Sequence, residues 1–313
     1  MSILLAAAAS TLVFCAPGYP GAAGDAQPYV DEFAKAAVRA AGWPDGSLSA
    51  VYDPTEQGGV AKLGRADAVL AFVPYPFYVE HAVQLHLSPL AQADVMDIGT
   101  KQKWTLVAKT GRVTAATSLA GYTIVSAAGY SPNFVLHSAL SAWQVPAGVK
   151  VEPVGQILSA LRRVASGDQV AALLDQTQAS ALPTLPFAGD LKAVLQSPEL
   201  PVAIIAVVDD RLPAARAKAF QAGLLKLGKG GAGADSLAAL KLAGFVMPAL
   251  PADAPQPAEG TAPAAKPGSG KAPAATSGSG KAPATKPGEN KAPATKLDSA
   301  KLPATNAPGQ SQP

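Results

Sequence analysis

Along the first 250 positions the apolar residues fall into two alternating patterns. Short runs with almost no polar residue read as buried strands, and between them an apolar residue recurs every third or fourth position, as on one face of a helix. Val30, Phe33, Ala37, Val38 and Ala41 mark such a face over residues 28–41. The pattern predicts strands at 11–16, 48–52, 68–73, 103–108, 122–125, 149–153, 169–174 and 203–208. It predicts helices at 28–41, from Thr55 to Arg65, at 75–87 and 133–143, up to Ser166, and at 213–227. Regular strand–helix alternation implies an α/β fold of mainly parallel sheets with helices on both faces. In such sheets ligands sit beyond the carboxyl ends of the strands. Those ends are residues 17–21, 53–56, 74–78, 126–133 and 175–177.

Residues 117–140 carry the densest signal. The strand stops at Ser126-Ala127-Ala128-Gly129, small residues that let backbone or ligand approach closely. Tyr130-Ser131-Pro132-Asn133 then opens an amphipathic helix, with Ser131 at the N-cap and Pro132 at the first position. A helix start aimed out of a strand end presents free N–H groups and partial positive charge, which suits an anion. The unit at 67–79 repeats the design, with Pro74-Tyr75-Pro76 turning a strand into a helix. The candidate ligand-binding residues are Tyr19 in the first strand-end loop, Tyr75, Tyr78, Ser126, Tyr130, Ser131, Asn133 and Asp175. Each has a purely architectural alternative. The tyrosines can pack under their turn, Ser131 and Asn133 can cap a helix with nothing bound, and Asp175 can cap the helix from Gln176.

Composition changes after Leu250. The last 63 residues hold 12 prolines, no aromatic, Val or Ile, and a ten-residue beat of Lys-Ala/Leu-Pro-Ala starting at Lys271, Lys281, Lys291 and Lys301. Such a segment cannot bury enough apolar surface to offset chain entropy and is expected to be a disordered, extended tail. Its seven lysines and four acids account for the whole formal charge of +3, so the rest is balanced. A nucleic-acid-binding domain would cluster its Lys and Arg in the folded part, and none is expected here. The single cysteine, Cys15, lies in an apolar run and reads as a small buried hydrophobe. Residues 1–10 include a short apolar run ending in Ala7-Ala8-Ala9, read as a secretory signal cleaved near Ala9 or Ser10, with a buried strand or helix as the alternative.

Enzyme chemistry has little to stand on. His81, His86 and His137 are scattered, and no Ser-His-Asp order or glycine-rich phosphate fingerprint follows the first strand. Residues 228–233 are a Gly-rich linker. No metal, no cofactor and no catalytic residue is expected.

The order of parts resembles type 2 periplasmic solute-binding proteins of ABC importers, within them the phosphonate-, phosphate- and sulfonate-binding group. The resemblance spans about residues 11–248. It rests on Lys62-Leu63-Gly64-Arg65-Ala66-Asp67-Ala68-Val69 before the third strand, Val73-Pro74-Tyr75-Pro76, and Ser118-Leu119-Ala120-Gly121-Tyr122-Thr123-Ile124-Val125. Ala165-Ser166-Gly167-Asp168-Gln169-Val170 and Leu200-Pro201-Val202 complete it. It implies a two-lobed fold with residues 11–104 and 205–250 in lobe one, 105–204 in lobe two, and crossing segments near 104–109 and 201–207. It also implies a monomer, outside the cytoplasm, that captures a small-molecule anion such as phosphate or phosphonate in the cleft for an importer permease. The loop Ala127-Ala128-Gly129-Tyr130-Ser131-Pro132-Asn133 departs from the Ser/Thr-Ser-Gly type of the phosphonate binders, and no Arg stands at a predicted strand end. A ligand sensor, a degenerate lobe pair acting on a signalling partner, or an enzyme on the same scaffold stay open as alternatives.

Overall fold

A computed structural model of the protein describes residues 10–18, 23–228 and 233–256; Tyr19, the signal candidate before Ser10 and the repeat tail from residue 257 lie outside them. The chain starts with β1 (Ser10–Cys15), α1 (Ala23–Ala40), β2 (Leu48–Asp53), α2 (Glu56–Leu63), β3 (Ala68–Pro74), α3 (Tyr75–His81) and β4 (Leu87–Val95). β5 (Lys101–Gln102) leads across to β6 (Thr105–Lys109), β7 (Thr123–Ser126), β8 (Lys150–Pro153), α4 (Ile157–Ser166), β9 (Val170–Leu174), α5 (Gln176–Ala181) and β10 (Leu191–Gln196). β11 (Leu200–Pro201) returns the chain to β12 (Ala203–Val208), α6 (Ala214–Leu224), α7 (Ala234–Ala239) and β13 (Leu242–Val246).

These strands make two sheets, ordered β13-β4-β12-β3-β1-β2 and β10-β6-β9-β7-β8, each the centre of one lobe. Between them β5 and β11 pair antiparallel as a two-residue ribbon, so both crossing segments run side by side. The Ser197 hydroxyl accepts from the Trp104 N–H at 2.8 Å beside that ribbon. Parallel pairing joins β1 to β2 and β3, and β7 to β8 and β9. The remaining pairs are antiparallel, through β12, β4 and β13 in one sheet and β6 and β10 in the other. Each sheet is therefore mixed, a parallel three-stranded part with antiparallel strands added.

Alternation along the central strands assigns their side chains to different cores. Leu12 and Phe14 of β1, Leu70 and Phe72 of β3, and Ile205 and Val207 of β12 join α1 and α6 on the outer face of the first sheet. Val125, Ala172 and Leu174 meet α4 on the outer face of the second. The intervening residues, Val13, Ala71, Val73 and Ala206 from one sheet and Leu106, Ile124, Ala171 and Leu173 from the other, belong to a single core shared by both lobes. Burial on both faces explains why these strands read as unbroken apolar runs.

The ends of several elements differ from the sequence reading. α1 starts at Ala23, with Pro28 inside it, because Val30, Phe33, Ala34, Ala37 and Val38 bury the later turns firmly enough to carry the early one. The expected helix 75–87 stops at His81; His86 takes φ +47° and turns the chain into β4. The strand β4 carries Pro89, which cannot donate to a ladder, and its pairing with β12 slips at that point. The helix expected at 133–143 is π-helical over Phe134–Ala139. Past Leu250 the chain stays on the body for a few residues: Ala254 is buried and the Pro255 carbonyl accepts from the Tyr78 hydroxyl at 3.0 Å. Cys15 is buried, its thiol donating to the Thr55 carbonyl at 3.3 Å. Among the described residues no helix is long and apolar enough to cross a membrane.

Candidate functional site

Strand ends from both lobes converge on a cavity of about 250 Å³. Pro17 and Gly18 follow β1, Pro74 ends β3, and Pro76 follows it. From the other lobe come Ala127, Ala128 and Tyr130 after β7, and Asp175, Thr177 and Gln178 after β9. Gln102 and Trp104 of the crossing segment, with Ile98, complete the lining. Among the described residues that line it, Asp175 is the only charged side chain. The strand end at 53–56 does not reach this cavity; Asp53 pairs with Lys62 and with the Thr55 hydroxyl instead.

Two glycines set how closely these loops meet. Gly18 has φ +83°, and a Cβ there would collide with the Ala127 carbonyl oxygen of the other lobe. A Cβ on Gly129 would fall onto the Glu152 carbonyl at the end of β8. Ser126, fully buried, ties the same loop down: its hydroxyl donates to the Leu173 carbonyl at 2.8 Å and accepts from the Ala128 N–H at 3.1 Å.

The sequence-predicted residues separate into distinct groups. Tyr130 and Asp175 line the cavity. Asp175 also caps α5, accepting from the Gln178 N–H at 2.8 Å within a capping box. Burial raises its carboxyl above the ordinary value, an effect that the backbone N–H groups of Gln178 and Thr177 partly offset. Tyr75 and Tyr78 are fully buried, stacked with centroids 6.2 Å apart, and neither is in the lining. They follow the architectural alternative, since α3 turns its aromatic face into the shared core; burial pushes the Tyr78 phenol up to about 12. Ser126 likewise serves the backbone. Tyr19 lies outside the described residues.

Ser131 and Asn133 do stand at the start of a helix, but another group occupies it. The Ser131 hydroxyl lies 2.9 Å from the Pro76 carbonyl and 3.0 Å from Glu80 Oε2, its single proton shared between two acceptors of the opposite lobe. The Asn133 N–H donates to Glu80 Oε2 at 3.1 Å, and its side-chain amide donates to Oε1 at 3.0 Å.

Sequence reasoning missed Glu80, Trp104, Gln102, Gln178 and Ile98. Trp104 had a visible signal as a lone indole at the lobe crossing. It is 3% exposed, lines the cavity, and its ring N–H has no hydrogen-bond partner among the described residues. Glu80 was an acid amid Tyr75, Pro76, Phe77, Tyr78 and Val79. The histidines show no shared site: His81 Nε2 lies 2.9 Å from Glu56, and His137 is exposed on the π-helix.

No protein-family model matches the sequence, and no curated protein matches it significantly. Solved structures do. XAC2383 from Xanthomonas citri bound to chloride ion is 12% identical, with a TM-score of 0.60 over 78% of this chain and 92% of that one. A binding-protein component of an ABC phosphonate transporter from Pseudomonas aeruginosa is 15% identical, with a TM-score of 0.52 over 76% and 82%. PhnD1 from Prochlorococcus marinus in complex with methylphosphonate is 16% identical, with a TM-score of 0.51 over 77% and 93%. At such identities the likeness shows the fold: two α/β lobes of the type 2 periplasmic binding protein kind.

Proposed function

We propose that this chain captures a small polar solute in the cavity between its lobes, outside the cytoplasm, and presents it to the permease of an ABC importer. The observation that carries the reading is Trp104. A buried N–H without a partner costs about 1–3 kcal/mol; Trp104 lines the cavity with its ring N–H covered, and a solute oxygen that the indole edge turns to meet would remove that cost. Tyr130 and Thr177 of lobe two and Gln102 of the crossing segment add groups able to bond such a solute. The proline and alanine side chains around them suit a compact, partly apolar body.

The lining also narrows the charge of that solute. With no Lys or Arg and one carboxylate, Asp175, among the described lining residues, a doubly charged oxyanion meets repulsion and no clamp there. A neutral or zwitterionic solute, with an acceptor oxygen for Trp104 and a donor or positive group for Asp175, fits better than the phosphate or phosphonate suggested by sequence resemblance. The matched structures hold chloride in one case and methylphosphonate in another, so the fold does not choose.

Native mass spectrometry of freshly purified protein identifies what co-purifies, and titration of the intrinsic tryptophan fluorescence measures it. Trp104→Phe keeps an aromatic side chain and removes the donor; a loss of about tenfold, about 1.4 kcal/mol, is expected. Unchanged affinity for a confirmed cavity ligand would remove the basis of the assignment. The core shared by both lobes favours a second reading, in which the pair stays closed and acts on a signalling partner. Lobe separation on solute release distinguishes a carrier from such a fixed pair.

A further inference from the structure

The helix start where the sequence predicts a free anion holds a carboxylate of the chain itself. Glu80 stands in the last turn of α3, in lobe one, and both of its oxygens are engaged by lobe two. One takes a first-turn backbone N–H and shares a serine hydroxyl; the other takes the Asn133 amide. A free carboxylate would find the same three donors there. Around it lie further contacts that need no solute: Ser131 on the Pro76 carbonyl, the Tyr75 ring edge-on to Phe134 at 6.1 Å, and Gly18 against Ala127.

We propose that Glu80 is a tethered ligand, an interlobe latch that Ser131 and Asn133 of lobe two hold in cis. It holds the lobes together without solute and keeps free carboxylates off those donors. Tethering makes it the stronger competitor, since a group held on a short linker acts at an effective concentration in the millimolar range. Free carboxylate or phosphate below that range does not displace it. The inference goes beyond the solute reading above and does not depend on which solute the cavity takes.

The test uses the full chain with a pair of distance labels on exposed positions of α1 and α4, one in each lobe. Wild-type protein is expected to give the short distance with no solute and to ignore added acetate. Glu80→Ala should lengthen or broaden the distance and lower the melting temperature. Acetate or formate at tens of millimolar should restore both in that variant, while chloride at equal ionic strength should not. Asn133→Ala, at an exposed position, attacks the same contact from the other lobe and covers the case in which Glu80→Ala does not fold. It should loosen the lobes without acetate rescue, because Glu80 is still present. A wild-type distance in the folded variants overturns the proposal. Opening of Glu80→Ala that acetate restores no better than chloride also overturns it, leaving Glu80 an ordinary structural residue.

Discussion

Phe134 is the side chain through which the shared core can be tested most directly. It is fully buried on the π-helix of lobe two, edge-on to Tyr75 of lobe one and to Trp104 of the crossing segment, at 6.1 and 5.0 Å between centroids. Truncating a buried Phe to Ala costs about 3–5 kcal/mol, and well-oriented aromatic pairs add about 0.5–1.5 kcal/mol each. Phe134→Ala should therefore fall at or above the top of that range, a large part of the roughly 5–15 kcal/mol that holds such a protein folded. Phe220→Ala is the control. It is equally buried and packs on Trp43 at 5.1 Å, but in the core on the outer face of the first sheet alone. Urea unfolding followed by far-UV circular dichroism and by tryptophan fluorescence should show one coincident transition in wild type and in Phe220→Ala. In Phe134→Ala the two probes should separate, or the slope with urea should fall, because the lobes lose their common contact. If both variants lose similar stability and keep one transition of wild-type slope, the lobes do not depend on one another through this core.

Four further outcomes are expected. Burial raises the Asp175 carboxyl from its ordinary 3.8, so it is ionised only above the raised value; affinity for a solute with a positive or donor group should fall as pH falls through that window. A dianion would show the opposite trend, and Asp175→Asn should flatten either one in a binding titration. The same shift means that this carboxyl holds more protons in the folded than in the unfolded state between 3.8 and the raised value, so it contributes stability as pH falls there, readable as the melting temperature of wild type relative to Asp175→Asn. Gly129→Ala should destabilise the protein by more than about 1 kcal/mol, since its Cβ lands on the Glu152 carbonyl and the β7 loop must move; a melting temperature within a degree of wild type would contradict that packing. Ser126→Ala leaves the Ala128 N–H without its acceptor in the interior and removes one bond to the Leu173 carbonyl, and should cost about 1–3 kcal/mol by denaturant titration.

What was legible in the sequence divides along physical lines. β3 and β12 are buried on both faces, so an unbroken apolar run located them without any partner. β10 and β13 are edge strands with exposed positions, and β4 carries a proline; their pairing energy comes from strands far away in sequence, and local propensity is too weak to announce it. The same division runs through the site. Strand ends follow from alternation, and four of the five predicted ends do border the cavity. Which side chain faces it depends on helix rotation, and α3 spends Tyr75 and Tyr78 on the core.

Ser131 and Asn133 show where a local argument stops. Their spacing specifies a helix start that needs hydrogen-bond acceptors, and that need is real. Nothing local says whether water, a solute or the chain supplies them. The supplier, Glu80, is 53 residues from Asn133 and reaches it only because both lobes share a core. A bare carboxylate at that edge would otherwise stay hydrated, and the contact forms because Tyr75, Phe77 and Phe134 bury the apolar surface beside it. Packing thus decides the occupant of the polar site, and a substitution in that core should alter anion access to the helix start as surely as one at Glu80.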